Sequence, residues 1–149
     1  MNQQALLHEV PRYTCRLVRE GSPLMVREPS VQTFRQTVSL FEGIRLLPHE
    51  EVHAAYLDGR GHVVGYEVLA RGGRCGAALL AADVFRGAIL ANARAFVMAH
   101  NHPSGDPRAS HEDVVMTKRL KALSEELGVA LLDHVILARD GETSVTEVL

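Results

Sequence analysis

Phe96-Val97-Met98-Ala99-His100-Asn101-His102-Pro103-Ser104-Gly105-Asp106-Pro107-Arg108-Ala109-Ser110-His111-Glu112-Asp113 is the stretch on which the reading of this chain turns. Its first four residues form a short, unbroken apolar run between two helical patterns. Such a run reads as a strand buried on both faces. His100 and His102 stand two apart at the exit of that strand, so extended geometry turns both imidazoles to the same side. The Pro-Ser-Gly-Asp-Pro steps then break regular structure and swing the chain back. Ser110 opens the next helix and Asp113 falls on its first turn. A strand, a returning loop and a helix thus bring two imidazoles and a carboxylate towards one junction.

Downstream, residues 110–127 read as a helix with Met116, Leu120, Leu123 and Leu127 on one face and Gly128 as its stop. Residues 129–138 read as a second buried strand, and Asp140-Gly141 turns the chain into a last short strand over 143–148. Upstream, Asp83 starts a helix to about Arg94, with Val84, Phe85, Ala88, Ile89 and Ala91 as its apolar stripe. Residues 71–76 are Gly-rich but lack phosphate-loop spacing and a Lys-Ser/Thr end, so they read as a loop. Residues 50–57 and 62–69 are strand-like runs joined through Asp58-Gly59-Arg60-Gly61, a hairpin signal. Before them, Val31, Phe34, Val38 and Phe41 recur at helical spacing, with Ser30 as N-cap and Gly43 just past the end. Residues 21–29 read as a connector, 11–19 as an early strand, and the first ten as a loose arm. The expected class is α/β (α+β): a mixed central sheet flanked by helices. Residues 1–29 are expected to form an arm and strand that belong to, or pack on, the domain of residues 30–149.

The whole chain is 149 residues with 16 Lys+Arg against 18 Asp+Glu, a formal net charge of −2. That length suits one core and leaves no room for a second catalytic module. The charge excludes nucleic-acid binding driven by bulk electrostatics, which needs a basic excess. Arg71, Arg74, Arg86, Lys118, Arg119 and Lys121 are the residues from which a local patch would have to come. No apolar run of about 18 residues occurs, and the amino terminus has neither a basic start nor an unbroken apolar stretch. The expectation is a cytoplasmic chain with no membrane partner. Cys15 and Cys75 are far apart and read as reduced, structural residues.

The eight histidines are the unusual feature of the composition. Two neutral imidazoles from His100 and His102 with the carboxylate of Asp113 leave a fourth tetrahedral position for water, the arrangement of a catalytic zinc. Water bound to Zn²⁺ can drop to a pKa of about 7 and attack as hydroxide. Taken alone, Ser110-x-x-Asp113 is a helix cap and His-Asn-His a polar strand end. A cap does not account for two same-side histidines ahead of a loop that returns to them. His111 points elsewhere on its helix and reads as exposed. His134, in a buried strand beside Asp133, reads as a hydrogen-bonded core histidine. His49, His53 and His62 belong to the hairpin and its approach, and His8 to the arm.

His-x-His, then Asp after ten intervening residues with Ser three positions before it, resembles the JAMM signature of MPN-type metalloenzymes. The fuller string His-Asn-His-Pro-Ser-Gly-Asp-Pro-x-x-Ser-x-x-Asp is similar to the RadC-like branch. Tyr56-Leu57-Asp58, Phe85 and Leu132-Asp133-His134-Val135-Ile136 extend the likeness over residues 50–148. The resemblance implies a JAB/MPN-like (cytidine-deaminase-like) fold in a short, single-domain form, without the helix-hairpin-helix region of longer RadC-like proteins. It also implies His100, His102 and Asp113 as metal ligands and Ser110 as the donor to the substrate carbonyl. Glu50, eight residues before Asp58, takes the general-base place, with Glu51 the competing assignment because a one-residue slip exchanges faces. Where the family has Pro-Arg-Glu ahead of the helix carrying Phe85, this chain has Ala81-Ala82-Asp83, a change that falls on the substrate groove and on no ligand.

The function this implies is a zinc-dependent hydrolase of peptide or isopeptide bonds in a peptide or protein substrate. Two other readings stay open. One is a metal-dependent enzyme acting on nucleic acid, in line with the family's historical link with DNA repair. Against it, hydrolytic nucleases favour carboxylate-rich, two-metal sites. The other is an MPN scaffold without turnover. Pairing of two copies into a homodimer, and the arm's part in it, is also left open.

Overall fold

The computed structural model describes residues 9–26, 29–72 and 79–149. Its first helix, α1 (Phe34–Phe41), runs into a 3-10 turn over Glu42–Ile44. A hairpin of β1 (Glu51–Leu57) and β2 (Val63–Arg71) follows, then α2 (Ala81–Leu90) and β3 (Ala95–His102). The chain closes with α3 (His111–Leu127), β4 (Ala130–Ala138), β5 (Gly141–Ser144) and a 3-10 turn over Thr146–Val148. The strands form one sheet in the order β2-β1-β3-β4-β5. Only β3 and β4 run parallel, and α3 makes the crossover between them. This is the mixed sheet flanked by helices that the sequence pattern implies.

The sheet separates two apolar layers. Val52, Ala54 and Tyr56 of β1 share one face with Phe96 and Met98 of β3, against Val84, Phe85 and Ala88 of α2 and Leu120 of α3. Phe85 and Phe96 meet edge to face with centroids 5.4 Å apart, a contact worth about 0.5–1.5 kcal/mol beyond its burial. Ala55, Leu57, Val97, Ala99, Val135 and Leu137 fill the other face beneath Phe41 and Ile44. Burial on both faces is why β3 reads as an unbroken apolar run. The hairpin closes as its Asp-Gly step suggests: Asp58 Oδ1 accepts from the amides of Arg60 and His62, and Gly61 takes φ +82°. On the α2 side, a Cβ at Gly87 would collide with the Tyr56 hydroxyl and the Glu67 carboxylate, so only glycine lets α2 lie this close to the hairpin.

Several expectations are corrected. No strand forms within residues 9–26, where residues 9–25 are exposed. Alternation makes a strand only where one side has a core to cover and an edge to pair with, and residues 11–19 have neither. The N-cap of α1 is Thr33, not Ser30: Thr33 and Gln36 form a capping box, while Ser30 bridges to His62. Helix α2 ends at Leu90 because Ala91 and Asn92 already turn out, and Ile89 is exposed rather than in the stripe. The last strand stops at Ser144, and the 3-10 turn begins at Thr146. Of the face expected on α3, Leu120 is buried and Met116 and Leu123 pack half-buried on the core, while Leu127 is half exposed; the most buried line of the helix is Asp113, Thr117, Leu120 and Ser124. That line is rotated from the apolar stripe because its first turns cover polar groups at the end of β3. Cys15 is an exposed free thiol rather than a structural residue. Cys75, His8 and the Gly-rich residues 73–76 lie outside the described residues. No helix among the described residues is long and apolar enough to cross a membrane.

Candidate metal centre

β3 ends at its carboxyl edge between an antiparallel neighbour, β1, and a parallel one, β4. His100 and His102 project there on one side, as their spacing requires. The loop over 103–110 folds back: Gly105 donates its amide to the His102 carbonyl, and the Asp140 amide donates to the Gly105 carbonyl. Gly105 holds φ +91° with the Arg139 guanidinium packed where a Cβ would sit. The loop delivers Ser110 as N-cap of α3. Its hydroxyl oxygen accepts from the Asp113 amide at 3.1 Å, and Asp113 Oδ2 accepts from the Ser110 amide at 2.8 Å. The cap orients the Asp113 carboxylate, and the positive end of α3 favours its charge.

Three groups converge as a result. His100 Nε2 lies 3.0 Å from His102 Nε2 and 3.2 Å from Asp113 Oδ1, and His102 Nε2 lies 3.5 Å from Asp113 Oδ2. Among the described residues, His100, His102 and Asp113 form the one cluster with metal-ligand spacing. Donors around a tetrahedral ion stand roughly 3.3–3.4 Å apart, so the observed spacing fits one ion held by all three. The ring chemistry fits as well. His102 Nδ1 faces the Asp106 carbonyl at 2.8 Å, which can only accept. That ring nitrogen therefore carries a proton, and neutral His102 turns the lone pair of Nε2 to the cluster. Burial alone would raise the Asp113 carboxyl, but the neighbouring His100 and His102 rings and the hydrogen bond from the Ser110 amide outweigh it and hold the group well below the usual carboxylate range. The same carboxylate raises His102 above the ordinary imidazole value.

Glu50 and Glu51 part company at the start of β1. Glu50 is half-buried and sits within electrostatic reach of His100, His102 and Asp113; burial raises its pKa above the normal carboxylate value. Glu51 turns to the α1 face. Its Oε1 accepts from His49 at 2.8 Å and its Oε2 from His53 at 2.7 Å, with Arg71 Nε 3.5 Å away. His53 in turn meets the Tyr66 hydroxyl at 2.6 Å. Asn101, between the two imidazoles, holds this divergence in place. Its Oδ1 accepts from the Glu51 amide, and its Nδ2 donates to the Leu47 and His49 carbonyls. Sequence reasoning passed over Asn101. Its signal is a polar residue at a position that β3 must bury on the opposite face from the ligands.

Ser110 is exposed beside the cluster, and His111 is exposed on α3 as expected. His134 is a fully buried, hydrogen-bonded core histidine, with Nε2 2.8 Å from His100 Nδ1 and Nδ1 2.7 Å from Thr117 Oγ1. Burial pushes its pKa down to about 3.

A family model described as the RadC-like JAB domain matches residues 31–148. The chain belongs to this family. Among its RadC-like relatives, it is 46% identical to a UPF0758 protein of Thermotoga maritima over 101 residues, covering 68% of this chain and 46% of that protein. A UPF0758 protein of Carboxydothermus hydrogenoformans is 44% identical over 91 residues, 61% of this chain and 40% of its own length. One from Marinobacter nauticus is 35% identical over 144 residues, 97% of this chain and 62% of that protein. The chain thus spans about half the length of the curated relatives it matches. The five-stranded mixed sheet and its flanking helices are the JAB/MPN-like architecture, and the His-His-Asp cluster sits at the end of its central strand.

Proposed function

We propose that this RadC-like domain is a zinc-dependent hydrolase of peptide or isopeptide bonds. The observation that carries the reading is the convergence of His100 Nε2, His102 Nε2 and the Asp113 carboxylate with Glu50 alongside. Two imidazoles and one carboxylate are a donor set that suits Zn²⁺ with one position left open. Zinc bound there supplies Lewis acidity, which acidifies water and polarises a carbonyl.

The chain's own residues divide the remaining work. Glu50, raised by burial, is suited to take a proton from water and return it to the departing amine, since a general base works best with a pKa drawn towards the working pH. Glu51, engaged by His49 and His53 on the α1 face, is the less suited of the two, which supports Glu50 for that part. The Ser110 oxygen is occupied as an acceptor by the Asp113 amide, which leaves its hydroxyl hydrogen to donate to a substrate carbonyl oxygen. Asn101 keeps Glu50 on the ligand side. The net charge of −2 favours a peptide over a nucleic-acid substrate. We take the compartment to be the cytoplasm, from the sequence features above.

Zinc-loaded protein and its Glu50→Ala variant incubated with peptide and isopeptide-linked libraries test the reading. Cleavage by the native chain that is lost in the variant, with zinc retained, is the expected result. Salt-sensitive DNA binding with Glu50-dependent DNA cleavage would replace it by the nuclease reading. Zinc binding with no turnover on any substrate class would leave a scaffold.

A further inference from the structure

We propose that His134, backed by Thr117, is the positioning pair that fixes the tautomer of His100 and so turns the His100 Nε2 lone pair towards the metal. The inference rests on the metal reading above and adds the residues that prepare one ligand for it. The argument follows the protons outward from α3. Thr117 has one hydroxyl hydrogen, and its Oγ1 lies 2.6 Å from the Asp113 main-chain carbonyl, which can only accept. The hydrogen is therefore committed there. Thr117 Oγ1 is left as an acceptor, so His134 Nδ1, 2.7 Å away, must be the protonated nitrogen that donates to it. Neutral His134 then has a bare Nε2, which faces His100 Nδ1 at 2.8 Å. His100 Nδ1 is the donor in that contact, and His100 Nε2 carries the lone pair. With His102 oriented by the Asp106 carbonyl, both imidazoles reach the cluster with their acceptor nitrogens foremost.

Burial makes the ordering strict. His100 is 1% exposed, and His134 and Thr117 are 0% exposed, so no solvent is at hand to satisfy another arrangement. The opposite tautomer of His100 would take the lone pair from Nε2 and set two bare nitrogens against each other at the buried His134 contact, whereas the proposed one brings bare nitrogens together only at the cluster, where His100 Nε2 and His102 Nε2 stand 3.0 Å apart and a cation would be held. Partners of this kind behind metal-bound histidines are worth about 10- to 100-fold in metal affinity. The pair also closes a loop through α3. The residue that supplies the Asp113 carboxylate also supplies the carbonyl that anchors the relay, so the ligand and the orienter move together.

Zinc affinity measured by chelator competition on the full 149-residue chain tests the proposal. His134→Leu removes the acceptor and is expected to weaken zinc binding by about 10- to 100-fold while leaving a folded protein. His134→Gln places an amide oxygen against His100 and an amide N–H against Thr117, and is expected to recover most of the loss. Thr117→Val frees His134 to reverse and is expected to cost less than His134→Leu. In the metal-free native chain, imidazole ¹⁵N shifts are expected to show His100 protonated at Nδ1. Native affinity in a folded His134→Leu variant would overturn the proposal. So would a folded Gln variant as weak as Leu, or His100 protonated at Nε2. If His134→Leu does not fold, the ¹⁵N measurement decides. That measurement needs no zinc, so failure of the metal reading and failure of the relay are separately visible.

Discussion

Two clusters of histidine and carboxylate flank β1 on opposite faces of the sheet, a residue apart in sequence and different in kind. On the α1 face, Glu51 is closed: each carboxylate oxygen takes a histidine N–H at 2.7–2.8 Å, and the His53 ring ends on a tyrosine hydroxyl that can donate or accept. On the α3 face, the nearest donor atoms stand 3.0–3.5 Å apart, and the far nitrogen of His102 is tied to a carbonyl that can only accept. The two clusters thus differ in the partner of the other ring nitrogen, a hydroxyl behind His53 and a carbonyl behind His102. Composition alone cannot make that distinction, since both clusters use the same residue types. Asn101 is the hinge between them, because it fixes the register at which Glu50 and Glu51 diverge.

The largest effect should come from exchanging the two glutamates. Glu50→Gln is expected to lower turnover by about 10²- to 10⁴-fold with zinc retained, as measured by steady-state cleavage and metal analysis. Glu51→Gln should retain most of the activity and lose stability instead. Asn101→Ala, which strips the buried Glu51 amide and the Leu47 and His49 carbonyls of their partner, is expected to cost about 1–3 kcal/mol in denaturant unfolding. It should also depress turnover, since it releases the strand start that holds Glu50. A purely local loss of stability with unchanged turnover would show that Asn101 does not set the divergence.

Acid should act on the closed cluster next. Burial lowers His53 against the pull of Glu51, while Glu51, raised by burial, is brought lower overall by its hydrogen bonds from His53 and His49. Both groups bind protons more readily when unfolded. Their contribution is present above the unfolded values, about 6.5 for histidine and about 4.3 for glutamate, and is lost as pH falls through the depressed folded ones. Unfolding free energy measured from pH 7 down to pH 4 should fall less steeply in His53→Gln than in the native chain. The smallest effect is expected at exposed His111, where alanine should change stability by no more than about 0.5 kcal/mol and leave zinc binding intact.

Much of this is legible in the sequence. The β3 run is apolar because both its faces are covered, and the His-x-His spacing followed from the period of a strand. The Ser110 cap and Gly128 stop were equally local. What was not legible depends on partners distant in sequence. Residues 11–19 alternate as a strand does, but the sequence cannot say that no edge accepts them. The apolar stripe of α3 leaves out Asp113 and Thr117, which are buried for their hydrogen bonds, because an apolar stripe count gives polar residues no weight. The His134 contact needed the parallel register that sets it beside Met98 and brings its ring to His100.

Zinc stoichiometry across the two clusters tests the central claim most directly. After loading and removal of free metal, the native chain is predicted to hold about one equivalent of zinc, and His102→Ala and Asp113→Ala essentially none. His53→Ala and Glu51→Gln are predicted to hold as much as the native chain. A native chain that retains no zinc, or zinc that survives His102→Ala but is lost with His53→Ala, would contradict the account.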